Sequence, residues 1–175
     1  MTLLQAATTL LPYHLLSYGA LLGSELYQTF INTKICFRAL PMREFLVLQK
    51  CLFPAYFRTQ LGLVALTAAT RPPAGIGSFV RHVSDAVPLV IIATTGGLNE
   101  WVFGPRTTRD AFVRSAVHES ATESGTKETE KVNKADRAFA RNHAMSIHLN
   151  AISVVATIWY AFSLTSSLLA DSPAV

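Results

Sequence analysis

Four predominantly apolar stretches, 15–31, 51–70, 86–103 and 147–170, are separated by polar connections of very unequal charge. Each approaches the ~20 residues that a helix needs to cross ~30 Å of hydrocarbon. The pattern predicts an all-α fold, an integral membrane four-helix bundle, as a single membrane domain over residues 1–175. The second stretch is interrupted by Arg58 and Gln60 and has Pro54 near its start. It spans only if its helix begins near Cys51 and the long Arg58 side chain reaches back to the interface.

The connection between the first two spans has a pattern of its own. Pro41 stands where a helix can start, and Phe45, Leu48 and Leu52 fall on one face with Arg43, Glu44 and Lys50 turned away. This predicts a short interfacial helix. Pro54 lacks a backbone donor and is expected to turn the chain from that surface helix into the second span, with Phe53, Tyr56 and Phe57 at headgroup depth. After the third span, Gly104 and Pro105 close the helix and open a polar loop, 104–137, whose stretch HESATESGTKETEKVNKAD is almost free of apolar residues. Such a stretch cannot bury a core, which predicts a mobile cytoplasmic loop between spans three and four. Helical periodicity resumes from Ala135 and runs into the fourth span.

Charge gives the orientation. Lys34, Arg38, Arg43 and Lys50 lie between the first and second spans, and Arg106, Arg109, Arg114, Lys127, Lys131, Lys134, Arg137 and Arg141 between the third and fourth. The connection between the second and third spans carries only Arg71 and Arg81. The excess of basic residues places both charged connections in the cytoplasm and both termini in the lumen or outside. Composition alone, half apolar, would also suit a soluble helical domain, but the long fourth stretch and the segregated charge argue against one. No basic region precedes the first apolar run, so the first span is expected to insert and remain. The implied partner is the lipid bilayer, together with protein neighbours or a homo-oligomer, and no nucleic acid is expected. Short first and second spans suit the thin endoplasmic reticulum bilayer or another endomembrane, with a mitochondrial membrane as the alternative. Cys36 and Cys51 fall at the cytoplasmic end, where a reducing pool keeps thiols free.

Polar side chains at membrane depth are the candidate chemistry. They are Glu25 in the first span, Asn99 and Glu100 near the end of the third, Arg106 just beyond it, and His143, Ser146 and Asn150 at the entrance of the fourth. At helical pitch His143 and Asn150 nearly eclipse one another, with Ser146 about 60° to one side and His148 opposite. One polar stripe thus faces inward, as a ligand site or as interhelical hydrogen bonds. Glu25 is the hardest to explain as scaffolding: a carboxylate inside a span is protonated, paired with a cation or in touch with water. Arg38, Pro41, Pro54, Tyr56 and Arg58 form the expected interfacial set.

The run Leu40-Pro41 to Phe45, Gln49, then Leu52-Phe53-Pro54-Ala55-Tyr56-Phe57 resembles the L-P-x-x-x-F-x-x-x-Q-x-x-L-F-P-x-Y-F signature of the transmembrane protein 205 family. Further matches follow the same order. Gly23, Thr29-Phe30 and Phe37-Arg38 lie in or after the first span, Asn99 and Pro105-Arg106-Thr107-Thr108 near the third, and Phe139, Arg141, His143, Ser146 and Asn150 lead into the fourth. The resemblance implies a four-span protein of eukaryotic endomembranes and attaches no reaction to it. Members carry an acidic residue directly before Pro-Arg-Thr-Thr, where this chain has Gly104, with Glu100 one turn earlier.

These readings favour a non-enzymatic membrane protein that binds or moves a small solute or lipid through a buried polar centre. The alternative is an accessory or tethering subunit of a larger membrane complex. An intramembrane enzyme is disfavoured, because His14, His82, His118, His143 and His148 are too scattered for a histidine-rich di-iron site and no serine or cysteine nucleophile stands beside a base. No cofactor and no metal are expected.

Overall fold

Helices follow one another along the chain: α1 (Leu3–Ala7), α2 (Leu11–Leu26), α3 (Thr33–Ala39), α4 (Met42–Ala69), α5 (Val83–Leu98), α6 (Gly104–Glu123) and α7 (Thr129–Asp171). The computed structural model describes residues 2–123 and 129–171, and among these no strand occurs. A π-helical segment, Tyr27–Asn32, joins α2 to α3, and another, Asn99–Phe103, joins α5 to α6. The described chain therefore runs as four long helical rods, 11–39, 42–69, 83–123 and 129–171.

The corners have local causes. Thr2 caps α1 through a reciprocal pair with Gln5. Between α3 and α4, Leu40 is extended at φ −113° and ψ 144°. A residue before proline is pushed out of helical conformations, so α3 ends there and Pro41 opens α4. Between α4 and α5 the chain turns through Gly75 at φ +64°, where an added Cβ would lie 2.6 Å from the Ala69 carbonyl oxygen. Only glycine fits both the left-handed backbone and that approach. A 3₁₀ turn, Gly75–Val80, then leads to α5.

All four rods share one apolar core. Leu21 from α2, Val64 from α4, Leu89 and Ile92 from α5, and Ala156, Tyr160 and Leu164 from α7 pack together in it. α7 lies along both α5 and α6, while α4 bridges α2 and α5. Two helical stretches, Val83–Thr122 and Glu130–Asp171, are long and apolar enough to cross a membrane.

Three expectations about the connections are corrected. The short interfacial helix is not separate: it forms the first half of α4, which continues through Pro54 without a break. A proline inside a helix removes one hydrogen bond, and here the Phe53 ring before it stacks on the Phe57 ring after it. Tyr56 is buried inside the bundle rather than lying at an interface. The polar loop 104–137 is helical over 104–123 and 129–137, while residues 124–128 lie outside the described residues.

That helical hairpin is built from cross-helix polar pairs rather than from an apolar stripe. Asp110 accepts from Asn142 at 2.6 Å, and Asp136 accepts from Arg114 at 2.7 Å and meets the His118 ring at 3.0 Å. Arg114 also lies over the Phe139 ring, 5.3 Å from its centroid. Hydrogen bonds from Arg114 and His118 hold the Asp136 carboxyl below the usual carboxylate range.

Candidate functional site

A cavity of about 390 Å³ opens between α3, α4, α6 and α7. It adjoins a wider hollow of about 800 Å³, and Thr33, Lys34, Phe45, Phe139 and His143 belong to the walls of both. The narrower cavity is lined by aromatic rings, Phe53, Phe57 and Phe112 among them. Its volume falls in the range of small-molecule sites, and so does its lining, mostly apolar with few polar groups.

Those polar groups fall into two kinds. One kind is fully used. Tyr56 donates to the Asn150 Oδ1 at 3.0 Å, and Asn150 donates through Nδ2 to the Thr29 hydroxyl at 2.7 Å. The pair ties α4, α7 and the first π segment together at the cavity wall. The other kind is unused. Gln49 is only 6% exposed, yet neither its amide nitrogen nor its oxygen has a hydrogen-bond partner among the described residues. The Thr107 hydroxyl, on the α6 wall, is likewise unpartnered. A buried polar atom without a partner costs about 1–3 kcal/mol, so two such side chains around one cavity are where a ligand would be stabilised.

Both π segments border this region, and wide turns of this type often occur at functional sites. In the first, Gln28 is held by Asn32, which donates to its Oε1 at 2.7 Å, and its own amide donates to Thr33 at 3.3 Å. In the second, Asn99 donates to the Ser146 carbonyl at 3.2 Å and leaves its own Oδ1 unpartnered. Glu100 is buried and pairs with Arg58 at 2.6 Å, the arginine lying outward. Gly104 closes the segment, and an added Cβ there would lie 2.4 Å from the Asn99 carbonyl oxygen.

Deeper in the bundle Glu25 is fully enclosed. Its Oε1 accepts from the Gln60 amide at 2.6 Å and from the Ser153 hydroxyl at 3.0 Å, and Gln60 also donates to Ser153 at 2.8 Å. The Glu25 Oε2 and Gln60 Oε1 atoms have no partner among the described residues. Gly96 makes room for this triad: a Cβ there would come within 2.9 Å of the Gln60 Oε1. Glu25 is thus held by neutral donors, with no cation paired to it among the described residues.

At the opposite end from the cavity, Arg71 and Asp85 form an ion pair in which both side chains are completely buried. Arg71 reaches the Asp85 Oδ2 through Nη2 at 2.6 Å and Nε at 3.1 Å. Ser163 donates to the other oxygen at 2.5 Å, and Ser167 donates to Oδ2 at 2.7 Å. Arg71 also donates to the Pro72 carbonyl. Nearby, His14 contacts the Thr67 carbonyl at 3.1 Å and the Tyr160 hydroxyl at 3.3 Å.

The sequence-predicted residues do not converge on one centre. Asn150 and Tyr56 meet at the cavity, and the exposed His143 lines it, stacked on Phe139. Ser146 also lines it, while its backbone carbonyl serves Asn99. Glu25 belongs to a separate, deeper triad. Arg106 is exposed and lies outside both groups, and Arg38 is exposed near the end of α3. In the sequence Gln49 and Thr107 stand out only through the resemblance, and Gln60 only as an interruption of the second span. Arg71 enters the sequence reading only as a loop charge and His14 only among the scattered histidines, and Asp85 does not enter it. An aspartate entering an apolar segment and an arginine leaving another, joined by one turn, are the signal that could have paired them. Among the described residues no three His, Cys, Asp or Glu side chains converge as metal ligands.

Comparison with known proteins places these features in a family. Residues 16–115 match the domain of unknown function DUF4149. The chain is 56% identical over 167 residues to the xanthocillin biosynthesis cluster protein D of Aspergillus fumigatus, covering 95% of this chain and 96% of that relative. No solved structure matches.

Proposed function

This chain belongs to the DUF4149 family, and we propose that it is a four-span membrane protein that binds a small solute or lipid in the cavity between α3, α4, α6 and α7. The unpartnered Gln49 and Thr107 in an aromatic-lined cavity carry this reading. The membrane setting draws support from an inverted distribution of polarity. Leu16, Val90, Val155 and Phe162 are 73%, 62%, 66% and 70% exposed, whereas Glu25, Arg71 and Asp85 are 0% exposed. In water this surface would be an aggregation hazard; in lipid it is the expected one. Lipid tails are as apolar as leucine, so helices in a bilayer associate through close packing and interhelical hydrogen bonds, the contacts found along this bundle's axis.

The positive-inside rule then puts the corners at Pro41 and between α6 and α7 in the cytoplasm and the termini in the lumen, in an endoplasmic reticulum or related endomembrane. The resemblance to the transmembrane protein 205 family supports the same arrangement. No catalytic role is assigned to the site: its side chains are suited to holding a molecule. A relative named for a biosynthesis cluster agrees with a small-molecule ligand.

Native mass spectrometry of the protein, released from nanodiscs made with its own membranes, tests this. The wild type is expected to retain one small molecule or lipid, and Ala111→Trp, which fills a wall common to both hollows, to lose it. Identical adducts on the two proteins would remove the cavity from consideration.

A further inference from the structure

We infer that the ligand presents a hydrogen-bond donor and acceptor side by side, as an uncharged amide does, and pairs with the side chain of Gln49. The inference rests on the cavity reading above and adds the chemistry of the occupant. Gln49 is nine-tenths buried, lies on the α4 wall, and has both amide atoms without a partner among the described residues. A side-chain amide offers donors on one edge and an acceptor on the other, and both are satisfied at once by a second amide laid against it. A carboxylate would accept from the Gln49 nitrogen but turn negative charge towards the Gln49 oxygen, and an ester has no donor to offer that oxygen. Thr107, on the α6 wall, can serve a remaining lone pair or N–H of the same group. The aromatic rings around it, Phe45, Phe53, Phe57, Phe112 and Phe139, suit an apolar body attached to that polar head.

A matched pair of probes decides it. Dodecanamide and methyl dodecanoate share an acyl chain, and only the amide has a donor. With the full chain in nanodiscs, the amide is expected to bind about tenfold more tightly than the ester, because the ester leaves the Gln49 oxygen unpaired. Gln49→Leu should lose the preference for the amide and bind the ester at least as tightly, because the amide donors then have no partner, and Gln49→Met is the second variant should leucine not fold. Equal binding of the two probes to the wild type would overturn the amide assignment and leave the cavity reading standing, as when ordered water satisfies Gln49. Absence of binding by either probe would overturn both.

Discussion

Asp85→Ala is expected to be the most damaging single substitution in the bundle, lowering stability by about 3–5 kcal/mol and the detergent melting temperature by roughly 10 °C or more. Arg71 is fully buried, and Asp85 is its only charged partner among the described contacts. Removing the carboxylate leaves a guanidinium sealed from water with only Ser167 and the Pro72 carbonyl nearby, and strips Ser163 of its acceptor. Most of the loss comes from the stranded charge and little from the lost attraction. The double variant Arg71→Met with Asp85→Leu should therefore recover most of the stability lost in the single one, because neither charge remains to be solvated. A thermal melt of the three proteins checks both halves. An Asp85→Ala protein that melts with the wild type would mean that the pair is open to water.

The second large effect is expected at Gly104, where alanine should cost about 1–3 kcal/mol. The added Cβ would sit 2.4 Å from the Asn99 carbonyl oxygen, and that neighbour is backbone, which cannot swing away as a side chain could. Relief requires the π segment Asn99–Phe103 to rewind, which would move Asn99 from Ser146 and Glu100 from Arg58. Melting in detergent measures the loss. Wild-type stability in Gly104→Ala would show that the wide turn does not depend on a bare backbone.

The helices were legible in the sequence because apolar runs of near-spanning length leave few alternatives, and each of the four runs falls on a helical rod to within one residue. Their limits were harder to read. Pro54 suggested a corner, yet its effect depends on what packs around the helix, and α4 continues through it with Phe53 stacked on Phe57 across the proline. The polar stretch after Gly104 lacks an apolar stripe because α6 and α7 are joined by pairs such as Arg114 with Asp136, which no periodicity reveals. Asn150 could be placed inside by its spacing, but its partners Tyr56 and Thr29 lie far away in sequence. The Gln49 site was invisible for a similar reason: on paper it is one polar residue among several on a helix, and only the fold encloses it.

Membrane crossing by all four rods is the central claim, and cysteine accessibility tests it most directly. In a Cys36→Ser, Cys51→Ser background, the single substitutions Thr8→Cys, Ala39→Cys, Val80→Cys and Thr122→Cys place one thiol at each turn or end in sealed microsomes. A membrane-impermeant maleimide should label Ala39→Cys and Thr122→Cys at once, and Thr8→Cys and Val80→Cys only after permeabilisation. Labelling of Thr8→Cys, Ala39→Cys and Val80→Cys from the same side would show that only the two C-terminal rods cross, contradicting the four-span bundle.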